Sequence, residues 1–139
     1  MRQLGQHQIA AGTWYINHPD HRNNLGNKSQ WRISEDEERT VFSITWNRGW
    51  AANCLGWGAH FPNGAAEYLG VAQDHATPVF IAKFVDSSAT GIWHGYPVDH
   101  SRNFPGNVPD LDILNQWMAD GIISTAKRRR IQKGQRCRL

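Results

Sequence analysis

The chain has 139 residues, with 15 Lys and Arg against 12 Asp and Glu, and its 15 aromatic residues include seven Trp. That length fits one domain able to bury its own core, and a charged fraction of 19% with so many aromatics excludes a disordered chain. Two cysteines, Cys54 and Cys137, exclude a disulfide framework or a Cys-based zinc site and predict a reducing, cytoplasmic setting, while no run approaches the roughly eighteen apolar residues of a membrane span. The N-terminal MRQLGQHQIAAG also lacks the apolar core of a signal peptide.

Charge is unevenly placed. Residues 127–139 carry seven of the bases, Lys127, Arg128, Arg129, Arg130, Lys133, Arg136 and Arg138, whereas residues 1–126 sum to −4 beneath an overall +3. The chain therefore divides into an aromatic-rich α+β domain, residues 1–126, and a basic C-terminal segment, residues 127–139. A basic end on an acidic body binds phosphates, an acidic partner or the body itself.

In chain order, residues 1–11 predict a weakly ordered lead-in and Gly12–Asn17 a short strand. His18-Pro19-Asp20 and the Asn-rich stretch to Asn27 predict a surface loop long enough to be suspected of a role. Ser29–Ser34 and Arg39–Asn47 read as strands, the second dense in Val, Ile, Thr, Phe and Trp, with Glu35–Glu38 as the solvated turn between them. Residues 48–66 contain Trp50, Trp57 and Phe61, either a stacking platform or, more commonly for such a stretch, core beneath a long loop. Ala65–Ala72 fits a short helix or strand.

The stretch that organises the rest is Pro78–Val98. Val79, Ile81, Lys83 and Val85 alternate with Phe80, Ala82 and Phe84, so both faces are largely apolar and an interior strand is expected. Asp86–Gly91 supplies turn chemistry, and Ile92–Val98 returns as the second strand of a hairpin. With Ser87–Thr90 as a four-residue loop, Lys83 stands opposite His94 and Ile81 opposite Tyr96. A polar linker, Asp99–Gly106, then leads to a helix over Pro109–Asp120, with Leu111, Leu114, Trp117 and Met118 as its apolar stripe and Gly121 as its stop. Ser124 caps a short basic helix over Thr125–Lys133, which resembles a DNA-reading helix only weakly because Ala126 and Ile131 are its sole anchors. The fold class is α+β: a single domain with a mainly antiparallel sheet, the C-terminal helix packed on one face and the short basic helix at the end.

The densest candidate chemistry is Trp93–Arg102, where His94, Tyr96, Asp99, His100 and Arg102 lie close together, with Gly95 leaving room for a close approach. With Lys83 across the hairpin these supply an acid–base set: His94 or His100 as base, Asp99 orienting it, and Lys83 or Arg102 holding anionic charge. The competing explanation is structural, a Lys83 stem reaching solvent over a half-covered face and a His94 with an ordinary hydrogen bond. Asp20-His21, Asp74-His75 and Asp99-His100 offer metal-type ligands, but no spacing among them is diagnostic, and no metal site is assigned. Two classes of function follow. One is a small binding module that engages nucleic acid or an acidic protein through Lys127–Lys133 with Arg136 and Arg138, with no membrane role; the other is a small hydrolase, nuclease or transferase built on His94, Asp99 and His100 with Lys83 or Arg102.

Overall fold

Within Pro78–Val98, Ile81–Val85 does pair with the returning strand at the centre of the molecule, whereas Pro78 and Val79 belong to a second sheet. The computed structural model describes residues 5–138, so the first four residues of the expected lead-in lie outside it. In chain order the elements are β1 (Gln6–Ala10), β2 (Thr13–Ile16), β3 (Gln30–Trp31), α1 (Glu35–Asn47), β4 (Ala51–Ala52), β5 (Leu55–Ala59), β6 (Gly70–Val71), β7 (Pro78–Val79), β8 (Ile81–Val85), β9 (Ile92–Val98), α2 (Leu111–Ala119) and α3 (Thr125–Gln132). A six-stranded sheet has the order β1-β2-β9-β8-β5-β4, parallel between β2 and β9 and antiparallel elsewhere, and a three-stranded antiparallel sheet has the order β3-β6-β7. This is the single-domain α+β architecture expected.

The large sheet is covered on both faces, which is why β8 is apolar on both. Ala82 and Phe84 meet Tyr15, Trp93 and the α1 residues Val41 and Phe42 on one side. On the other, Ile81 and Trp57 meet Ile113, Leu114 and Trp117 of α2 and Ile131 of α3. Trp50 and Trp57 are core residues, as the commoner reading of their stretch has it, and Trp50 donates its indole N–H to Gln116 Oε1 at 2.9 Å.

Several expectations need correction. Residues 35–47 are a helix and not a turn followed by a strand. Ser34 Oγ accepts the Glu37 amide while the Glu37 carboxylate accepts the Ser34 amide, a reciprocal cap, and the four acids of the first turn meet the positive end of the helix dipole. The buried positions Glu38, Val41, Phe42 and Thr45 recur at helical spacing, and Thr45 returns its hydroxyl proton to the Val41 carbonyl at 2.8 Å. Gln6–Ala10 is a strand paired with β2, so the lead-in is ordered from there on. In α2, Pro109 lies before the cap residue Asp110, and Leu111 is exposed while Ile113, Leu114 and Trp117 carry the packing.

The hairpin register is also displaced. Lys83 pairs with Tyr96, Val85 with His94 and Ile81 with Val98, two residues along from the expected pairing. The cause is a larger turn: the Asp86 carboxylate accepts the amides of Thr90 (3.1 Å) and Gly91 (2.8 Å), while Ile92 and Trp93 turn away to pair with Trp14 and Tyr15 of β2. A two-residue slip preserves the faces, so Lys83 and His94 still share one side of the sheet.

Candidate functional site

The site residues sort into two clefts with Asp99 on the wall of both. The larger, about 920 Å³, is built by the C-terminal segment against the strands near Tyr68 and Pro78–Phe80. Ser124 caps α3 by accepting the Lys127 amide at 3.2 Å, and Ile131, fully buried, pins the helix to the core. Gly134, at φ +68°, then reverses the chain, with the Gln135 amide bonded to the Arg130 carbonyl at 2.8 Å. The returning strand is fastened by His100, whose Nε2–H donates to the Gln135 carbonyl at 2.7 Å, and by Arg130, which donates to the Arg136 carbonyl at 3.1 Å. These ties turn Lys127, Arg130, Arg136 and Arg138 onto one cleft, whereas Arg128, Arg129 and Lys133 lie off it. None of the four has a carboxylate within ion-pair distance among the described residues. Cys137 sits between them and the core, and burial raises its thiol pKa against the pull of Lys127 and Arg130.

The smaller cleft, about 460 Å³, is lined by Lys83, His94, Tyr96, Asp99 and Arg102 from the predicted stretch and its partner strand, joined by His21 and Lys28. His94 and Tyr96 stand side by side on one face of β9. The His21 ring stacks on Tyr96 at 5.1 Å between centroids and 15° between planes, and His18 lies 5.7 Å from His94 and 6.3 Å from His21. Local sequence places both loop histidines: Pro19 opens a single 3-10 turn, Pro19–His21, whose first free amide, that of Asp20, is accepted by His18 Nδ1 at 3.2 Å. His21 Nδ1–H donates to the Ser29 carbonyl at 2.8 Å, which leaves Nε2 as its exchangeable nitrogen.

Electrostatics in this cleft favour neutral rings. Burial lowers the His21 pKa, opposed by the Ser29 carbonyl and reinforced by Lys28, His18 and His94. His94 is likewise lowered by burial and then by His18, against a smaller opposing pull from Asp86. Burial also lowers Lys83, whose Nζ lies over the Trp57 ring at 5.3 Å and donates to the Gly106 carbonyl at 2.8 Å, and it raises the Tyr96 phenol.

The predicted set is therefore split: Lys83, His94, Asp99 and Arg102 come together, and His100 faces the basic cleft as a tie for the tail. Asp99 does not orient either histidine. Its Oδ1 accepts the amide and hydroxyl of Ser101 (2.9 and 2.6 Å), while its buried Oδ2 accepts no hydrogen bond and has Arg102 Nε at 3.4 Å. Gly95 leaves no room for a ligand, since a Cβ there would run into the Phe84 ring. The residues that sequence reasoning did not bring to the site are His21 and Lys28; the signal for His21 was the His-Pro-Asp-His loop, which suggested only metal ligation. Among the described residues no group of three or more His, Cys, Asp or Glu is arranged to hold a metal ion, and none of the helices is long and apolar enough to cross a membrane. Comparison with protein-family models, with curated proteins and with solved structures finds no match, so the site alone carries the functional argument.

Proposed function

We propose that the chain is a small binding module for single-stranded nucleic acid, held in the basic cleft. The observation that carries this reading is the convergence of Lys127, Arg130, Arg136 and Arg138 on one cleft without carboxylate partners among the described residues. Four cations lining one concave surface suit a phosphate backbone. Asp99, the acid in that cleft, has its charge engaged by Arg102. An unpaired strand is favoured over a duplex because α3, with Ile131 as its buried residue, presents too short an apolar anchor to act as a groove-reading helix. The cytoplasmic setting expected from the sequence accords with Cys54 and Cys137 being free thiols.

Fluorescence anisotropy with single-stranded DNA and RNA probes over a salt series tests this. Wild type binds with a steep salt dependence, and replacing Lys127 and Arg136 together with Gln weakens binding and reduces the slope of log K against log salt by about 0.7 for each phosphate that is no longer neutralised. Binding that is unchanged in this double variant overturns the cleft assignment. Displacement of the probe by polyglutamate as effectively as by unlabelled oligonucleotide points to an acidic protein as the partner instead.

A further inference from the structure

We infer that the smaller cleft is the active centre of a ribonuclease, with His94 and His21 as an acid–base pair acting on a strand anchored in the basic cleft. The inference rests on the binding proposal for delivery of the strand and goes beyond it in assigning an activity. Three features carry it. The two histidines line the same concavity from different elements, one on β9 and one on the turn between β2 and β3, with Tyr96 of β9 stacked on His21. Lys83 and Lys28 line the space they enclose, so a phosphodiester entering it meets positive charge and two imidazoles. Asp99 lines both clefts, so they adjoin at that residue and the smaller one lies next to a strand held in the larger.

The chemistry needs no co-reactant. Neutral His94, which makes no hydrogen bond among the described residues, removes the proton from a ribose 2′-hydroxyl, and the 2′-oxygen attacks the adjacent phosphorus. The bond from phosphorus to the 5′-oxygen breaks, and that oxygen takes the proton from Nε2 of His21 in its imidazolium form. The products are a 2′,3′-cyclic phosphate and a 5′-hydroxyl end, and the histidines regain their starting protonation from solvent. The Nδ1–H of His21 is given to the Ser29 carbonyl, which leaves Nε2 to carry the transferred proton, and burial, by lowering the ring's pKa, makes the imidazolium a readier donor. Lys83 supplies positive charge to the non-bridging oxygens as the phosphorane forms. DNA, lacking the 2′-hydroxyl, is bound and not cut.

The test uses the full chain, with EDTA present, and a fluorescein-labelled ten-nucleotide RNA, products being identified by mass spectrometry. Expected are a 2′,3′-cyclic phosphate product, no cleavage of the all-2′-O-methyl strand, and a bell-shaped pH profile. His94→Gln and His21→Gln each lower kcat by about 10²- to 10⁴-fold. His94 is faced by His18, His21 and Asp86, and His21 by His18, Lys28 and His94, so the assignment turns on which limb each variant removes: His94→Gln the rising limb, His21→Gln the falling one. Should His21→Gln fail to fold, His94→Gly with rescue by added imidazole decides. Tight binding of the 2′-O-methyl strand without cleavage of RNA overturns this inference and leaves the binding proposal standing. Cleavage of a dinucleotide that survives loss of strand binding sustains the active centre and overturns the basic cleft as its anchor. Cleavage unaltered in His94→Gln overturns the assignment.

Discussion

His21 and His94 are held in a half-buried cleft, and that burial above all, with Lys28 beside His21, sets how the protein responds to acid. Each has a folded pKa below its unfolded value of about 6.5, so the folded state binds fewer protons and the stability they contribute is present above that pH and lost as pH falls through the folded values. The urea midpoint of the wild type should therefore drop between pH 7.5 and pH 5 more steeply than that of a His21→Asn/His94→Asn variant. Parallel pH dependences in the two proteins would show that the rings do not carry this linkage. A second buried ionic cluster stands nearby and serves the fold instead. Glu38, fully buried, accepts the Tyr15 hydroxyl at 2.5 Å and two bonds from Arg22 at 3.0 and 2.8 Å. Arg22 directly follows the turn that carries His21, so this cluster fastens the histidine loop to α1 and β2.

At the scale of elements, α1 depends on its reciprocal cap. Ser34→Ala removes the acceptor for the Glu37 amide and should cost about 1 kcal/mol, with most of that restored by Ser34→Asp, as chemical denaturation can measure. No loss in Ser34→Ala would mean that packing of Val41 and Phe42 alone sets where the helix begins. The same helix shows why part of the fold was illegible. Val41, Phe42, Ile44, Thr45 and Trp46 are strand formers by propensity, and that density hid a 3.6-residue period already present in Glu38, Val41, Phe42 and Thr45. By contrast the hairpin and α2 were legible, because turn residues and Gly121 mark their ends whatever packs around them. The register of the hairpin was not legible, since it is fixed by β2 drawing Ile92 and Trp93 away, a pairing far off in sequence. For the same reason the shared cleft of Lys83 and His94 could be read along the chain, whereas His21 reaches it only through the loop from β2 to β3.

For the whole molecule, the C-terminal segment is as much a structural part as a charged one. Ile131 belongs to the cluster that holds Leu114 and Trp117, so Ile131→Ala should cost about 2–5 kcal/mol, and ending the chain at Ala126 should lower the melting temperature more than neutralising Lys127 and Arg136 does. Equal melting temperatures for the truncated and full chains would contradict this. The parallel pairing of β2 with β9 has a further consequence for how the protein is made. Trp14 must find Ile92 and Tyr15 must find Trp93, partners separated by 78 residues, so a chain leaving the ribosome carries its first hairpin with one edge unpaired while the intervening residues are added. At typical elongation rates that interval is roughly 4–16 s, long compared with the microseconds in which β1 and β2 can pair. Assembly of the large sheet is therefore late in synthesis, and the nascent amino-terminal hairpin is the segment that needs shelter from other chains until β9 emerges.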